Sequence, residues 1–197
     1  MIGIGIDLGT TYSVVCHVGR DGSVDVIPND VGSPLTASAV HFGRDGTVTV
    51  GAAARDRAAV DPDRTSVAIK RQMGRDHALL LGGHAHRPES ISAIILRSLV
   101  GSACEHLAVT PDEIAAVISV PAYFGVAERE ATAAAAQIAG LTCLDLVAEP
   151  VAAALAYGIA SGRTGTALVY DLGGGTFDAT VVELTPTGPR VAAVDGS

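Results

Sequence analysis

Residues 7–15 read DLGTTYSVV, and residues 171–178 read DLGGGTFD. In both segments an aspartate follows an apolar run typical of a strand, and glycine and threonine fill the turn into the next strand. Glycine lets the backbone bring its N–H groups close to an anion, and threonine hydroxyls add further donors. An aspartate beside such a turn suits magnesium, which takes a few carboxylates together with phosphate and water. Two such turns facing each other are predicted to hold a polyphosphate.

Each turn taken alone also fits an ordinary glycine-rich hairpin, but two related copies in one chain favour a shared role. A dinucleotide-binding turn is excluded, because Gly3, Gly5 and Gly9 are spaced G-x-G-x-x-x-G and the next predicted element is a strand. The phosphate-binding pattern G-x-x-x-x-G-K-[ST] does not occur in the sequence.

Outward from the first turn, short β-branched runs predict three antiparallel strands, followed by a second hairpin about Asp45-Gly46. Residues 51–60 are predicted to be helical, and residues 65–73 a short helix or loop. Residues 77–87 are predicted to be a loop. The three strands are placed at residues 2–8, 12–18 and 24–27, and the hairpin at residues 39–42 and 48–50.

The second half of the chain alternates strands with helices, which indicates a mixed sheet with helices on its faces. Helical spacing of apolar residues predicts a long helix over residues 89–107. The fold class is therefore α/β, with a mixed five-stranded sheet. The further strands are placed at residues 115–120, 143–147, 167–170, 177–184 and 191–194, and the further helices at residues 127–139 and 151–159.

Composition narrows the functional classes. The 197 residues are 48% hydrophobic and 17% charged, enough apolar content for a globular core. The net charge of −8 argues against nucleic-acid or anionic-membrane binding, both of which need a basic surface. No apolar run reaches the roughly 20 residues of a membrane helix. The three cysteines suggest no disulfide framework, and a cytoplasmic location is expected.

Four segments, in chain order, carry a family resemblance. They read GIDLGTTYS at residues 5–13, VPAYF at 120–124, EPVAAALAYG at 149–158 and DLGGGTFD at 171–178. Together they closely resemble the signature segments of the heat shock protein 70 chaperones. The resemblance implies the actin-like, ribonuclease-H-like ATPase fold, in which two lobes close on ATP. It also implies ATP hydrolysis to ADP with magnesium, coupled to the binding of unfolded polypeptides and co-chaperones.

The resemblance also implies roles for individual residues. Asp7 and Asp171 would orient magnesium, mainly through water, and Asp178 would help to hold a monovalent cation such as potassium. The catalytic group would be Lys70, Glu149, Asp171 and Thr176. The phosphate-binding group would be Gly9, Thr10, Thr11, Tyr12, Gly173, Gly174, Gly175 and Thr176.

Lys70 and Glu149 each have an alternative interpretation. A lysine beside an arginine is often a solvated surface residue, but residues 68–75 resemble the lysine-bearing segment of the family. Glu149 follows an apolar strand, where sites of α/β proteins are usually built, and it also suits the first turn of a helix. Its two interpretations are compatible.

Pro121 and Arg129 match the family's residues that relay nucleotide state to the peptide-binding domain. Pro121 alone would simply end a strand, and Arg129 alone would be an exposed helix charge. No metal site is predicted at His84-Ala85-His86, because no third ligand has a suitable spacing.

The predicted organisation is lobe I over residues 1–164, with a reduced inserted subdomain over residues of about 36–108, and the first strands of an incomplete lobe II over residues 165–197. The chain is thus expected to be a fragment that binds ATP weakly by itself and self-associates through exposed strands. Three alternatives stay open: an actin-like filament protein, a small-molecule kinase, and a non-catalytic regulatory module without chaperone clients.

Overall fold

The computed structural model describes residues 1–161, 164–173, 177–186 and 188–196. Strands and helices form largely where the sequence predicts them. The strands are β1 (Ile2–Asp7), β2 (Tyr12–Val18), β3 (Val24–Ile27), β4 (Thr36–Ala37), β5 (Ala39–Phe42), β6 (Val48–Val50), β7 (Thr65–Val67), β8 (Leu79–Leu81), β9 (His84–His86), β10 (Ile114–Val120), β11 (Thr142–Ala148), β12 (Gly165–Leu172), β13 (Phe177–Thr185) and β14 (Gly188–Gly196). The helices are α1 (Ala52–Arg57), α2 (Pro88–Leu107), α3 (Val126–Ala139) and α4 (Glu149–Ser161), with 3₁₀ turns at Pro62–Arg64, Ile69–Gln72 and Pro111–Glu113.

The central sheet runs in the order β11-β10-β1-β2-β3. Strands β11, β10 and β1 are parallel, whereas β2 is antiparallel to both β1 and β3. This confirms the predicted mixed α/β class. The short β4 adds a further pairing to β2.

The hydrophobic core lies between this sheet and the long helix α2. Ile91, Ile95 and Leu99 recur every four residues along α2 and are at most 2% exposed. They belong to one cluster with Ile6 of β1 and Ile118 of β10. Burying a side chain of this size contributes about 1.5–3 kcal/mol, so the core fixes the strand ends that carry the candidate site.

Residues 77–87 form a hairpin of β8 and β9, so the prediction of a loop there was wrong. Gly82 and Gly83 have φ of 60° and 85°, the left-handed pair that a two-residue hairpin turn requires. Each strand has only three residues, too few for an alternating pattern to be read from sequence.

The last three strands form a separate antiparallel sheet, in the order β12-β13-β14, against which α4 packs. Along β12 the exposed residues Leu168, Tyr170 and Leu172 alternate with half-buried ones. Large and mostly apolar side chains are therefore exposed on one face of β12.

No helix within the described ranges is both long enough and apolar enough to cross a membrane.

Candidate functional site

The turn between β1 and β2 is built around Gly9. A Cβ atom placed on Gly9 would lie 2.1 Å from the Tyr12 carbonyl oxygen, so a side chain here would collide with the backbone of the turn. The Ser38 hydroxyl donates to the Gly9 carbonyl at 2.7 Å, and the Ser38 N–H donates to the Thr11 carbonyl at 2.9 Å. These two hydrogen bonds tie the backbone of the turn to Ser38 and hold it in place.

Asp7 ends β1 and is held by the neighbouring strand. Asp7 and Ser119 are partners in the parallel pairing of β1 with β10. The Ser119 hydroxyl donates to Asp7 Oδ1 at 2.8 Å. The carboxylate is exposed, and among the described residues its Oδ2 is left available to a ligand.

Lys70 and Glu149 meet as an ion pair, Nζ to Oε1, although 79 residues separate them. Lys70 lies in the 3₁₀ turn Ile69–Gln72, and Glu149 is the first residue of α4. Their side chains are 8% and 18% exposed, so the interpretation of Lys70 as a solvated surface residue was wrong.

Burial raises the pKa of Glu149, and the nearby carboxylates of Asp7 and Asp171 raise it further, whereas Lys70 lowers it. Glu149 therefore lies within the electrostatic influence of two further carboxylates that line the same cavity, and nearby positive charge would stabilise all three. Glu149 also begins a helix, so both interpretations of this residue agree with its position.

A cavity of about 200 Å³ brings these groups together; we call it the central cavity. It contains the predicted phosphate-binding turn, the ion pair and residues from the second aspartate-glycine segment. Its lining residues are Asp7, Gly9, Thr10, Thr11, Tyr12, Lys70, Pro121, Glu149, Asp171 and Gly173.

The second turn is described only in part. Asp171 and Gly173 line the central cavity, whereas Gly174, Gly175 and Thr176 lie outside the described residues. Asp171 pairs with Asp178 across β12 and β13. Both strands that flank the turn therefore carry an aspartate at the cavity end.

Asp178 fits a cation ligand. It is only 6% exposed, and its Oδ1 atom has no hydrogen-bond partner among the described residues. Burial raises its pKa, and Asp171 raises it further. A buried carboxylate oxygen without a donor is costly unless a cation or water satisfies it.

Within the described ranges no three or more His, Cys, Asp or Glu side chains group as a metal site. The central cavity instead offers Asp7 and Asp171 beside a turn suited to phosphate. That donor set fits magnesium, which takes one or two carboxylates and completes its shell with phosphate and water.

Pro121 and Arg129 lie on either side of the start of α3. Pro121 follows β10, is buried and lines the central cavity. Arg129 is half-buried and donates to the carbonyls of Phe124 at 3.3 Å and Leu146 at 3.4 Å. The alternative in which Arg129 is only an exposed helix charge was wrong, because its guanidinium bridges α3 to β11.

Sequence reasoning missed the residues that support the site. Ser119 and Ser38 hold Asp7 and the turn, and Arg55 of α1 donates to the Tyr12 hydroxyl at 2.9 Å. Strand register and helix docking create these contacts, so no local motif marks them.

Comparison with known proteins covers the whole described site. A model of the family described as Hsp70 protein matches residues 3–80 and 78–196. The chain is 45% identical over 196 residues to the chaperone protein DnaK of Thermotoga petrophila, 44% over 196 residues to that of Thermosipho melanesiensis, and 43% over 195 residues to that of Thermosipho africanus. Each alignment covers 98% of this chain and 32% of the relative, so the chain spans about a third of the relatives' length.

Proposed function

Because the chain belongs to the Hsp70 family, we propose that the whole protein is a molecular chaperone driven by ATP hydrolysis. It binds the ATP phosphates with magnesium, releases ADP and phosphate, and uses this cycle to bind and release unfolded polypeptides together with co-chaperones. The 197 residues correspond to 32% of the relatives' length, and their part in the cycle is the phosphate end of the nucleotide site.

One observation carries this proposal. A single cavity gathers a glycine-threonine turn, a buried lysine paired with a glutamate, and two aspartates. Phosphoryl transfer to water asks the protein mainly for positioning and charge neutralisation, and these groups supply both. An ordinary glycine-rich hairpin would not need a buried Lys70 beside it.

Each group then has a proposed role. The N–H groups and hydroxyls of Gly9, Thr10, Thr11 and Tyr12 bind phosphate oxygens. Lys70 neutralises developing charge on the terminal phosphate, and Glu149 orients the attacking water and accepts its hydrogen bond. The ion pair holds Lys70 Nζ in place before ligand binds, so little reorganisation is needed.

Asp7 and Asp171 are the proposed magnesium ligands, acting mainly through water. Bound magnesium would neutralise part of the phosphate charge. We also propose phosphate contacts for Gly173, Gly174, Gly175 and Thr176. Asp178 is the proposed ligand of a monovalent cation such as potassium, supported by its buried, unpartnered Oδ1.

Pro121 and Arg129 are proposed to couple the cavity to the rest of the protein. Pro121 touches the site, and Arg129 links α3 to the carbonyl of Leu146, three residues before Glu149. A shift of Glu149 on nucleotide binding would therefore pass to α3 through these contacts.

We assign the ribonuclease-H-like fold of the actin-like ATPases, with lobe I over residues 1–164 and an inserted subdomain at about 36–108. Residues 165–197 are assigned to lobe II. The separate sheets β11-β10-β1-β2-β3 and β12-β13-β14 support this division.

The test is phosphate release by the whole protein with and without Mg²⁺, together with release of a bound fluorescent unfolded peptide on ATP addition. We expect turnover only with Mg²⁺, and faster peptide release with ATP than with ADP. Peptide binding unaffected by nucleotide, with no turnover, would favour a non-catalytic regulatory module. For the 197-residue chain alone we expect weak ATP binding; micromolar affinity in titration calorimetry would overturn that expectation.

A further inference from the structure

A second polar cavity shares no lining residue with the central cavity. Its volume is about 250 Å³, and it is formed by the β5–β6 turn, the 3₁₀ turn before β7 and the β8–β9 hairpin. We call it the basic cleft, because its ionisable side chains are Arg44, Arg64, His84 and His86. In the described part of the chain, no Asp or Glu lines it.

Arg64 is held in position inside the basic cleft. Its Nη1 donates to the Phe42 carbonyl at 3.3 Å. The guanidinium also lies against Gly82, where a built Cβ would come within 2.8 Å of Nη1. The Gly82 N–H in turn donates to the Asp63 carbonyl at 2.8 Å. The backbone thus holds one edge of the guanidinium, and among the described residues its other N–H donors are left available to a ligand in the cavity.

The charge of the basic cleft is not neutralised by neighbouring carboxylates. Within the described residues neither Arg44 nor Arg64 forms an ion pair. Asp45 follows Arg44, but its Oδ1 accepts from the N–H and the hydroxyl of Thr47 at 3.1 and 2.7 Å. Two arginines thus line one cavity without an acidic side chain among its described lining residues, a local positive charge in a chain of net charge −8 that a bound anion would neutralise.

Part of the cleft wall is a pair of stacked rings. The rings of Phe42 and His86 stack with centroids 4.2 Å apart and an interplanar angle of 30°. Burial lowers the pKa of His86, and the nearby His84 lowers it further, so the stacked ring favours its neutral form. Leu81 beside it is buried. This wall suits an aromatic or similarly planar group.

We propose that the basic cleft binds a phosphate monoester carried on a planar apolar group. The phosphoryl oxygens accept from Arg44, Arg64 and His84, and the planar group packs against the Phe42–His86 stack and Leu81. Arginine presents paired donors that match a phosphate, and the wall adds apolar contact that inorganic phosphate lacks. The assignment uses no residue of the central cavity and stands apart from the proposed function.

The test is a two-dimensional ¹⁵N NMR titration of the 197-residue chain with phenyl phosphate, inorganic phosphate and phenol. Phenyl phosphate is expected to shift the amides of Gly43, Gly46 and Gly82 saturably, with inorganic phosphate and phenol each weaker at the same residues. Arg44→Gln and Arg64→Gln should each weaken phenyl phosphate binding about ten-fold. Arg20→Gln, an exposed arginine of the β2–β3 loop, is the matched control and should leave binding unchanged.

Three outcomes would overturn the proposal. They are no saturable shift at the glycines of the cleft, shifts confined to Gly9, Thr10 and Thr11, and equal binding by wild type and Arg44→Gln. Arg44 is exposed on a turn, so its substitution leaves the fold intact and the last outcome stays decisive even if Arg64→Gln is destabilised.

Discussion

Gly9 is confined by its own turn, because the Tyr12 carbonyl occupies the space that a side chain would need. Gly9 has no positive φ, so the restriction is steric, not conformational. Gly3 lies in the same strand-turn unit, and nothing stands within 4 Å of a Cβ built on it. The two glycines therefore form a natural pair for testing the turn.

Gly9→Ala is predicted to open the turn and to lower stability by about 1–3 kcal/mol, as overpacking does. For a chain of this size that lowers Tm by about 3–10 °C. Gly3→Ala, the control, should change Tm by about 2 °C or less. Differential scanning calorimetry of the 197-residue chain measures both, and equal Tm values for the two variants would contradict the steric argument.

Ser119 positions Asp7 through a single hydroxyl. On the proposed magnesium role of Asp7, Ser119→Ala should raise the Mg²⁺ concentration for half-maximal ATP turnover about ten-fold or more, as loss of an outer-shell hydrogen bond does. Maximal ATP turnover at saturating Mg²⁺ should change by a smaller factor than this half-maximal concentration. Ser102→Ala on α2 is the control. If both variants show the same Mg²⁺ dependence of ATP turnover, Ser119 does not position a magnesium ligand.

Short elements carry the site, and tertiary contacts position them. The 3₁₀ turn of Lys70 follows Ala68, which has a φ of 54° in the left-handed region, an unusual conformation for alanine. Helix α4 starts directly after β11, so Glu149 is placed by the strand and by the helix at once.

Local sequence predicted α2 and the long strands well because their apolar spacing is regular, but it left residues 65–73 undecided between helix and loop.

The 3₁₀ turn before β10 gives a pH test at the level of one element. The Thr110 N–H and hydroxyl donate to Glu113 Oε2 at 2.9 and 3.0 Å, and these bonds lower the pKa of Glu113 from its ordinary value. A carboxyl group whose pKa is lower in the folded than in the unfolded state stabilises the fold at pH values above its unfolded-state pKa. This stabilisation is lost as the pH falls through the folded-state pKa.

Glu113→Ala should therefore lower Tm slightly at pH 7, and the difference should shrink as pH falls through the lowered pKa of Glu113. Thermal unfolding followed by circular dichroism between pH 3 and 7 measures this. Asp112→Ala, the adjacent exposed acid, is the control. A Glu113→Ala deficit that persists unchanged at pH 3 would show that the capping bonds do not act through the carboxylate.

At the scale of the whole molecule, two sheets meet at the central cavity, and strand β12 of the second sheet has an exposed, mostly apolar face. Leu172 is 82% exposed and Tyr170 is 66% exposed. Exposed strands with such side chains favour association between chains. The 197-residue chain is predicted to dimerise at high concentration through this face.

Leu172→Lys should shift that equilibrium toward monomer in light scattering coupled to size exclusion. Val126→Lys, a 74% exposed apolar residue at the start of α3, is the matched control and should leave the association unchanged. A wild-type chain that stays monomeric at every concentration would contradict the predicted dimer. Equal loss of association in both variants would show that the contact does not depend specifically on Leu172.

The sequence predicts those site residues that lie within a recognisable motif. The motif segments predict Asp7, Lys70, Glu149 and Asp171 as site residues, and the structure brings these four to one cavity. Ser119, Ser38 and Arg55 were not predicted, because strand register and docking of distant elements create their contacts. The hairpin at residues 77–87 was missed because its strands are too short for periodicity to show.

The central claim is that Lys70, held by Glu149, acts on bound phosphate. The most direct measurement is steady-state ATP turnover by the whole protein carrying Lys70→Ala, with Arg75→Ala, an exposed cation five residues on, as the control. We predict a loss of about 100-fold or more for Lys70→Ala, as expected for removing a charge that stabilises the transition state, and little change for Arg75→Ala. Unchanged turnover in a folded Lys70→Ala protein would contradict the claim.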